Sequence, residues 1–465
     1  MSNMNESARA QLDVLLRNAY GAAAEAGALP GGAAFTGSIE IPRDPGNGDL
    51  AATHALSAAR EMRMPPRVIA EALLSHIDLR ESYFESCSVA GAGFMNFILS
   101  DRWYGDVLRA VESARGDYGR TDIGRGARVM IEFVSANPTG PMTIGNARGG
   151  VLGDTLASIL DRAGYSVHRE FYVNDAGNQV ELFGKSADAR YMQLALGENA
   201  VEFPENGYHG DDIKELAKLM YEEHGDSLAA LPEEERVRRF IAFGIPRNIG
   251  LMREHLERYR IRFDEWFPES RLHDSGYVAD TVELLRANGL TYEKDGALWL
   301  KNTGLGADKD EVLLRANGYY TYYAVDIAYH RDKLVRRAFD KVIDVWGADH
   351  HGHAVRFKAT MSAPALGLPP DSLDFLIMQM VRLTRDGETV KVSKRTGKAL
   401  TLNDLLDEIS VDACRFFFNA KPDTHLEFDL GLAIRQDSEN PVYYVQYAHA
   451  RICSLLSALA ADGYA

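Results

Sequence analysis

The order of patterns between residues 128 and 173 constrains the fold more than any other feature of this sequence. Arg128 to Val134 is an apolar, strand-like run; a loop rich in glycine and proline follows, and then a helical pattern from Gly149 to Ala163. A second strand pattern, His168 to Val173, comes directly after the helix. Strand, loop, helix and strand make a βαβ unit, which implies a parallel sheet that binds ligands at the carboxyl ends of its strands.

The same alternation of strand and helix resumes near residue 310. The predicted elements are a strand from Glu311 to Arg315, a helix from about Tyr322 to Arg336, a strand from Lys341 to Trp346 and a helix from His351 to about Ser362. Residues 180 to 290 are instead strongly helical and charged, which is typical of an insertion. We therefore predict an α/β fold with a Rossmann-like parallel-sheet catalytic domain at residues 120–370, and a helical insertion at about 180–290.

Smaller parts are predicted on both sides of this domain. In chain order they are a small α+β domain at residues 1–115, a connecting domain at 371–435 and a mostly helical C-terminal part at 436–465. Four glycines between Gly116 and Arg128 indicate the first boundary. In the connecting domain, strands at Phe375 to Leu383 and Thr389 to Val392 are expected to form a hairpin around residues 385–387.

Composition narrows the class of protein. The net charge of -16 argues mildly against wholesale nucleic-acid binding, although a local basic path over an acidic body remains compatible with it. Cys87, Cys414 and Cys453 form no CxxC pair, so we expect no zinc site built on thiolates and a reducing compartment. The amino terminus lacks the apolar core of a signal peptide, and no run of eighteen apolar residues occurs. A cytoplasmic protein without a membrane partner is expected.

The loop from Ser135 to Gly150, SANPTGPMTIGNARGG, is the first candidate site. Its prolines and glycines predict a rigid loop whose backbone approaches a ligand closely, and the amides of the following helix suit a phosphate. The alternative is an ordinary glycine turn of a βα crossover. The spacing matches neither GxGxxG nor a Walker P-loop.

A second candidate is the tyrosine-rich segment from Gly318 to His330. Taken alone, its five tyrosines are typical of an aromatic core stripe. Tyr322 and Asp326, however, lie four residues apart and therefore on one helical face. A carboxylate with a tyrosine hydroxyl beside it can bind a guanidinium in the planar, bidentate way that favours arginine over lysine.

Two further segments have both a structural and a functional interpretation. The histidines of Asp349 to His353 suggest a metal site, but the segment follows a strand and opens a helix, where polar residues line nucleotide pockets. The run from Val390 to Thr396, VKVSKRT, is a basic solvated turn when taken alone, and its functional interpretation depends on a resemblance to a known signature.

Together these segments resemble the class I aminoacyl-tRNA synthetases. Thr143, Ile144, Gly145 and Asn146 stand where that class has His-Ile-Gly-His, and VKVSKRT is similar to its second signature, Lys-Met-Ser-Lys-Ser. The stretches SANPTGP, NARGG and GADHHG look specifically like arginyl-tRNA synthetase, as do PRDPGNGDLA and GAGFMNFIL in residues 1–115. The resemblance implies that residues 1–115 contact tRNA, and that the helix beginning at Asn440 is the first of an anticodon-binding domain that is otherwise mostly missing.

The resemblance also implies a role for individual residues. The residues expected to act in catalysis are Thr143, Asn146, Lys391 and Lys394. Those expected to bind ATP are Pro138, Gly140, Gly145, Asp349 and Ser393. Those expected to bind arginine are Asn137, Glu269, Tyr322, Asp326 and His350. ATP with Mg²⁺ is expected as a substrate, with no tightly bound cofactor and no zinc.

The function implied is that of an arginyl-tRNA synthetase. Such an enzyme activates L-arginine with ATP to arginyl-adenylate and transfers the arginyl group to the 3′ end of tRNA(Arg); the resemblance also implies a monomer. Two alternatives stay open at this point. One is a paralogue that adenylates arginine for an acceptor other than tRNA, and the other is an inactive tRNA-binding relative that has lost the two histidines.

Overall fold

A computed structural model describes residues 4–385, 387–390, 400–422 and 424–464. The chain divides into two compact units, Met1–Thr121 and Asp122–Ala465. In the first unit the elements are α1 (Met4–Glu25), β1 (Ile39–Glu40), β2 (Leu50–Ala52), α2 (His54–Met62), α3 (Pro66–His76), β3 (Phe84–Ala90), β4 (Phe94–Leu99) and α4 (Asp101–Ala114). Its antiparallel strands pair in the order β1-β2-β4-β3, and the core between this sheet and α1–α3 includes Leu12, Leu73 and Phe97.

The second unit contains the remaining elements. Its strands are β5 (Arg128–Glu132), β6 (Ser166–Val173), β7 (Glu265–Pro268), β8 (Thr291–Lys294), β9 (Ala297–Leu300), β10 (Glu311–Leu314), β11 (Lys341–Gly347), β12 (Leu373–Met378), β13 (Val381–Arg385), β14 (Glu388–Thr389) and β15 (Leu426–Asp429). Its helices are α5 (Ile144–Arg162), α6 (Asn178–Leu196), α7 (Asp211–His224), α8 (Glu233–Arg258), α9 (Ser270–Asp274), α10 (Tyr277–Ala287), α11 (Tyr322–Arg331), α12 (His351–Met361), α13 (Leu402–Glu408), α14 (Val411–Asn419), α15 (Leu430–Ile434) and α16 (Pro441–Ala461).

A parallel sheet with the strand order β12-β11-β5-β6-β7 organises this unit. Apolar residues of β5 point to both faces: Val129 and Ile131 join a core with α5 and α8, while Met130 joins a core with α11 and α12. Burial on both faces explains why Val129, Met130 and Ile131 of β5 are consecutive apolar residues in the sequence. The chain leaves β5 toward β6 on one side, whereas β11 pairs with β5 on the other, so the carboxyl ends of β5 and β11 flank a crevice. The predicted α/β class is confirmed.

Some boundaries differ from the prediction. The stretch 180–290 is helical in α6 to α10, but residues 265–268 form β7, an edge strand of the parallel sheet that pairs with β6. The predicted strand Phe375 to Leu383 is two strands in different sheets: β12 pairs with β11, and β13 pairs with β14 and β15. The hairpin around residues 385–387 is confirmed by the β13–β14 pairing, and α11 ends at Arg331, followed by a π-helical turn at Asp332–Arg336.

Small residues bring the first turns of α5 against the end of β5. A Cβ atom on Gly153 would lie 2.2 Å from the Phe133 ring, and one on Gly150 would lie 2.9 Å from Ile261 Cδ1. Beside them, the wholly buried Arg148 donates hydrogen bonds to four backbone carbonyl oxygens, those of Gln379, Met380, Lys421 and Thr424. The NARGG motif therefore fixes where α5 begins relative to the connecting segments.

Within the described part of the chain, no helix has the length and apolar character needed to cross a membrane.

Candidate active site

A cavity of about 1030 Å³ opens at the carboxyl edge of the parallel sheet. Its volume is at the upper end of the range usual for sites that bind nucleotides and other small molecules. The predicted site residues that line it are Asn137, Gly140, Thr143, Gly145, Asn146, Tyr322, Asp326, Asp349 and His350. Segments far apart in sequence are thus brought together around one cavity.

Thr143 and Asn146 form a capping box at the start of α5. Asn146 Oδ1 accepts hydrogen bonds from the backbone nitrogen and from Oγ1 of Thr143, both at 2.9 Å, and Asn146 N donates to Thr143 Oγ1 at 3.4 Å. This exchange satisfies a backbone donor of the first turn that would otherwise lack a partner. The two neutral side chains therefore hold the positive end of the α5 dipole toward the cavity.

The loop that leads to this helix starts from a strained backbone. Val134 and Ser135 have φ angles of 68° and 40°, a region that valine in particular rarely adopts. Ser135 Oγ donates to Glu132 Oε1 at 2.8 Å and accepts from Tyr172 N at 3.2 Å. Strain of this kind persists where surrounding contacts fix the backbone, and it concentrates at functional sites.

The helices of the predicted insertion hold the rest of the loop. Asn137 Nδ2 donates to Gln179 Oε1 on α6 at 2.6 Å. Asn248 Nδ2, on α8, donates to the carbonyl oxygen of Pro138 at 2.8 Å. Pro138 is not among the residues that line the cavity.

Asp326 and Tyr322 line the cavity from α11, which packs on the other face of the parallel sheet from α5. The Asp326 side chain is 26% exposed, so it can be reached from the cavity. Partial burial, together with the Glu311 and Asp326 carboxylates, raises the pKa of Tyr322, which keeps its hydroxyl protonated and able to donate. The two side chains point into one cavity, as their helical spacing requires.

His353 contacts Asp326, and the sequence analysis did not include it in the site. Its Nε2 atom lies 3.2 Å from Asp326 Oδ2. The ring stacks on Trp346 at 5.2 Å and on Phe357 at 5.5 Å between ring centroids, with interplanar angles below 30°. The sequence showed His353 only as one of several histidines with a possible metal role, and a contact between two helices leaves no local signal.

Glu269 follows β7 and lies outside the lining of the cavity. Its Oε2 accepts a 2.7 Å hydrogen bond from the Tyr172 hydroxyl. Burial raises the pKa of Tyr172 well above its usual value, and the Glu269 and Asp326 carboxylates raise it further. The Glu269 carboxylate, with Oε1 3.6 Å from His273 Nε2, likewise raises the pKa of His273. Glu269 therefore contacts Tyr172 rather than the cavity itself.

Asp349 and His350 line the cavity as exposed residues between β11 and α12. Their side chains are 82% and 56% exposed, with His350 Nε2 3.6 Å from Asp349 Oδ2. Among the described residues, the ligand atoms close enough to share a metal ion belong to His168, Glu170 and Glu265 instead. The Arg337 guanidinium already binds the Glu170 carboxylate of this group, with nitrogens 2.5 and 2.9 Å from its two oxygens.

A buried charge network lies beneath the cavity. Lys333 is wholly buried, with Nζ 2.5 Å from Glu132 Oε2 and 2.9 Å from Asp344 Oδ1. Burial works to lower the pKa of Lys333, but Asp344 and Glu132 outweigh it and raise that pKa, so the ammonium group stays charged. Burial raises the pKa of Glu132, whereas Lys333 and His330 hold that of Asp344 low against its own burial. The sequence did contain a signal: Glu132 and Asp344 each interrupt an apolar strand, and they are paired across β5 and β11.

Lys391, Ser393 and Lys394 lie outside the described residues. The segment that follows them adjoins the first loop, since Leu402 N donates to the Met142 carbonyl oxygen at 3.0 Å and Thr401 lines the cavity.

The parallel sheet, its crevice and the loop before α5 define a class I aminoacyl-tRNA synthetase. The family described as "tRNA synthetases class I (R), catalytic domain" matches residues 111–429, and "Arginyl tRNA synthetase N terminal domain" matches residues 14–99. The chain belongs to the arginyl-tRNA synthetase family, also called the arginine–tRNA ligases.

Similar proteins from several organisms agree with this assignment. The chain is 50% identical over 465 residues to the arginine–tRNA ligase of Acetivibrio thermocellus, covering 100% of this chain and 82% of the relative. It is 51% identical over 460 residues to that of Caldanaerobacter subterraneus subsp. tengcongensis, covering 99% and 81%. A solved Campylobacter jejuni structure assigned as an arginyl-tRNA synthetase superposes with a TM-score of 0.71 at 38% identity, over 79% of this chain and 78% of that chain. The Thermus thermophilus arginyl-tRNA synthetase, at 22% identity and a TM-score of 0.60, over 97% of this chain and 82% of that chain, shares the fold.

Proposed function

We propose that this chain activates L-arginine with ATP and transfers the arginyl group to the 3′ end of tRNA(Arg). The observation that carries the proposal is that Asp326 and Tyr322 face, across one cavity, the loop and helix start formed by Thr143 and Asn146. One side presents an anionic site for a guanidinium, and the other presents backbone amides for phosphates.

In the first step a carboxylate oxygen of arginine attacks the α-phosphorus of ATP. The new bond is a mixed anhydride, arginyl-adenylate, and the bond to the β-phosphate bridging oxygen breaks to release pyrophosphate. In the second step a ribose hydroxyl of the tRNA 3′ end attacks the activated carbonyl, which releases AMP and a proton. Mg²⁺ enters with ATP as part of the substrate. Catalysis of this kind depends on positioning and electrostatics rather than on a covalent enzyme intermediate.

The arginine side of the cavity accounts for selectivity. Two parallel hydrogen bonds from a planar guanidinium fit the Asp326 carboxylate, and the Tyr322 hydroxyl can add a third contact. We propose that Asn137, Glu269 and His350 complete the arginine site, Glu269 by acting through Tyr172. Lysine carries the same charge but lacks the planar fork, so it would bind this site less well.

The ATP side depends on the backbone near Pro138, Gly140 and Gly145 and on the amides at the start of α5. We propose that Asp349 and Ser393 also contact ATP. Lys391 and Lys394 are proposed to neutralise the charge that builds on the departing pyrophosphate. Thr143 and Asn146 are proposed to act by holding the helix terminus against the phosphates.

The proposal extends to the other parts of the chain. Residues 1–115 are proposed to contact tRNA, and residues 120–370 to carry out catalysis. Residues 371–435 are proposed to connect the catalytic domain to residues 436–465, which begin the anticodon-binding part. We further propose that the protein works as a monomer in the cytoplasm, where translation takes place.

Arginine-dependent exchange of pyrophosphate into ATP tests the proposal. The assay is run with each of the twenty amino acids, with and without tRNA, and is followed by measurement of arginyl-tRNA formation. We expect exchange with arginine and charging of tRNA(Arg). Exchange without charging would favour a paralogue with another acceptor, and a well-folded protein that exchanged with no amino acid would contradict the proposal.

A further inference from the structure

His353 is placed to control the orientation of the carboxylate that binds the substrate side chain. It lines the same cavity as Asp326, and its Nε2 atom is 3.2 Å from Asp326 Oδ2. The imidazole is 11% exposed and packs between Trp346 and Phe357, so neither its position nor the plane of its ring can vary freely. A buried, stacked ring is therefore aimed at one oxygen of the carboxylate.

We infer that His353 is a positioning residue for arginine selection: with a proton on Nε2, it donates to Asp326 Oδ2 and fixes the plane of the carboxylate. The inference rests on the proposed function, because it assumes that Asp326 binds the guanidinium. His353 acts through Asp326 and does not contact the substrate itself.

The other ring nitrogen supports this protonation state. His353 Nδ1 is buried and lacks a hydrogen-bond partner among the described residues. A proton on Nδ1 would be a buried donor with no acceptor, whereas a proton on Nε2 leaves only the Nδ1 lone pair unmatched; the unmatched donor is the costlier arrangement.

The carboxylate can accept this hydrogen bond and still bind a guanidinium. Each carboxylate oxygen accepts more than one hydrogen bond, so Oδ2 can receive His353 Nε2–H and one guanidinium N–H, while Oδ1 receives the other. A bidentate pair needs the carboxylate in the plane of the guanidinium, and a free carboxylate rotates about χ2. Fixing that rotation before the substrate arrives removes an ordering cost that binding would otherwise carry.

Calorimetric titration of the full chain with L-arginine, and separately with ATP, tests the inference. His353→Phe keeps an aromatic ring between Trp346 and Phe357 but removes the donor. His353→Gln removes the ring but places an amide N–H near the Nε2 position. His351→Phe makes the same chemical change two residues earlier on α12, at an exposed residue outside the cavity lining, and is the matched control.

We expect His353→Phe to weaken arginine binding about 10- to 100-fold, as for the loss of a hydrogen bond to a charged group. His353→Gln should stay within about threefold of the wild type, since its hydrogen bond is retained. ATP affinity should be unchanged in all variants, and His351→Phe should bind arginine as the wild type does. Wild-type arginine affinity in His353→Phe, or an equal loss of arginine and ATP affinity, would overturn the inference.

A measurement on the wild-type chain does not depend on how the variants fold. In protein labelled with ¹⁵N-histidine, the His353 resonances, assigned by their loss in His353→Gln, should show the Nε2-protonated tautomer at neutral pH. A proton on Nδ1 would overturn the inference. A failure of the proposed function would be distinguishable from a failure of this inference. A wild-type chain that binds arginine and shows the His353 effect, but exchanges no pyrophosphate, would contradict the proposed reaction. The positioning role of His353 would then still hold.

Discussion

The two sides of the cavity are suited to ligands of opposite charge, and they present different chemical groups to them. On the loop side, Thr143 and Asn146 are neutral and hydrogen-bond to each other, so the backbone of α5 faces the cavity. On the sheet side, the Asp326 carboxylate lies 3.2 Å from His353 Nε2, and Glu132, which also lines the cavity, pairs with the buried Lys333. An anionic ligand can be held by aligned peptide dipoles alone, whereas a cationic one needs a charge that the fold must support.

This comparison predicts unequal sensitivity to substitution. The Thr143–Asn146 cap consists of neutral hydrogen bonds near solvent. The loss of one of its side chains lowers the free energy of unfolding by about 1 kcal/mol. A buried charge that loses its partner costs about 3–5 kcal/mol. The sheet side should therefore be the more fragile of the two, in activity and in stability.

The largest effect is expected at Asp326. Asp326→Asn keeps the shape of the side chain but removes the charge, and its amide offers one acceptor oxygen instead of two, so it cannot form the bidentate pair with a guanidinium. We expect kcat/KM for arginine in the exchange assay to fall about a thousandfold, as when one partner of a desolvated ion pair is lost. Asp308→Asn, at a side chain that is 72% exposed, is the control and should stay near the wild-type value. An unchanged KM for arginine in Asp326→Asn would refute the assignment of the arginine site.

Lys333→Met should destabilise the fold strongly. It leaves Glu132 and Asp344 without their common cation, and we expect the free energy of unfolding in urea to fall by about 3–5 kcal/mol. Lys341→Met removes an ammonium group from a partly exposed pair with Asp374 and should cost less than about 1 kcal/mol. Adding Glu132→Gln to Lys333→Met should recover part of the loss; equal effects of the two lysine variants would show that the buried network contributes no more than a surface pair.

The sheet side should also be acid-sensitive through Glu170. Burial alone would raise the pKa of Glu170, but hydrogen bonds from His168 and Arg337 outweigh it and lower that pKa from 4.5 to about 2. Because the folded-state pKa lies below the unfolded one, the stabilisation is complete above pH 4.5 and is lost as the pH falls toward 2. It amounts to about 3 kcal/mol.

Unfolding in urea at pH 7, 5, 4 and 3 measures this loss. Glu170→Gln should be less stable than the wild type at pH 7, and the difference should shrink as the pH falls. A difference that stays constant down to pH 3 would contradict the linkage.

The smallest effect is expected on the loop side, at Asn146. Asn146→Asp keeps the oxygen that caps Thr143, so stability should hold, but it adds negative charge beside the proposed phosphate site. KM for ATP should rise about tenfold, as expected from roughly 1.4 kcal/mol of repulsion. Asn146→Ala, in contrast, should lower the free energy of unfolding by about 1 kcal/mol. A wild-type KM for ATP in Asn146→Asp would place the phosphates away from this turn.

The fold was predictable where the signal was local. The run from β5 through α5 to β6 alternates apolar periodicity with a glycine-rich loop, and each part is visible by itself. β7 has no such signal: its four residues follow a long charged helix, and only pairing with β6 makes them a strand. The break between β12 and β13 falls at Gln379 and Met380, whose carbonyl oxygens accept from Arg148 more than 200 residues away.

The same distinction applies to the site. Tyr322 and Asp326 share one helix, so their spacing alone placed them together. His353 is 27 residues from Asp326 in the chain. Their side chains meet only because α11 and α12 pack against each other. Lysine is rarely buried, and nothing near Lys333 in the sequence shows that strands β5 and β11 supply its two carboxylates.

The hydrogen bonds of Arg148 indicate when, during folding, the start of α5 reaches its final contacts. Its four carbonyl partners are 231, 232, 273 and 276 residues further along the chain. Contacts of such long sequence separation form slowly, because a large loop must close first. During synthesis, the Arg148 guanidinium lacks its last two acceptors, the carbonyl oxygens of Lys421 and Thr424, until residue 424 has left the ribosome. The contacts that Arg148 makes at the start of α5 are therefore completed only after most of the chain has been made.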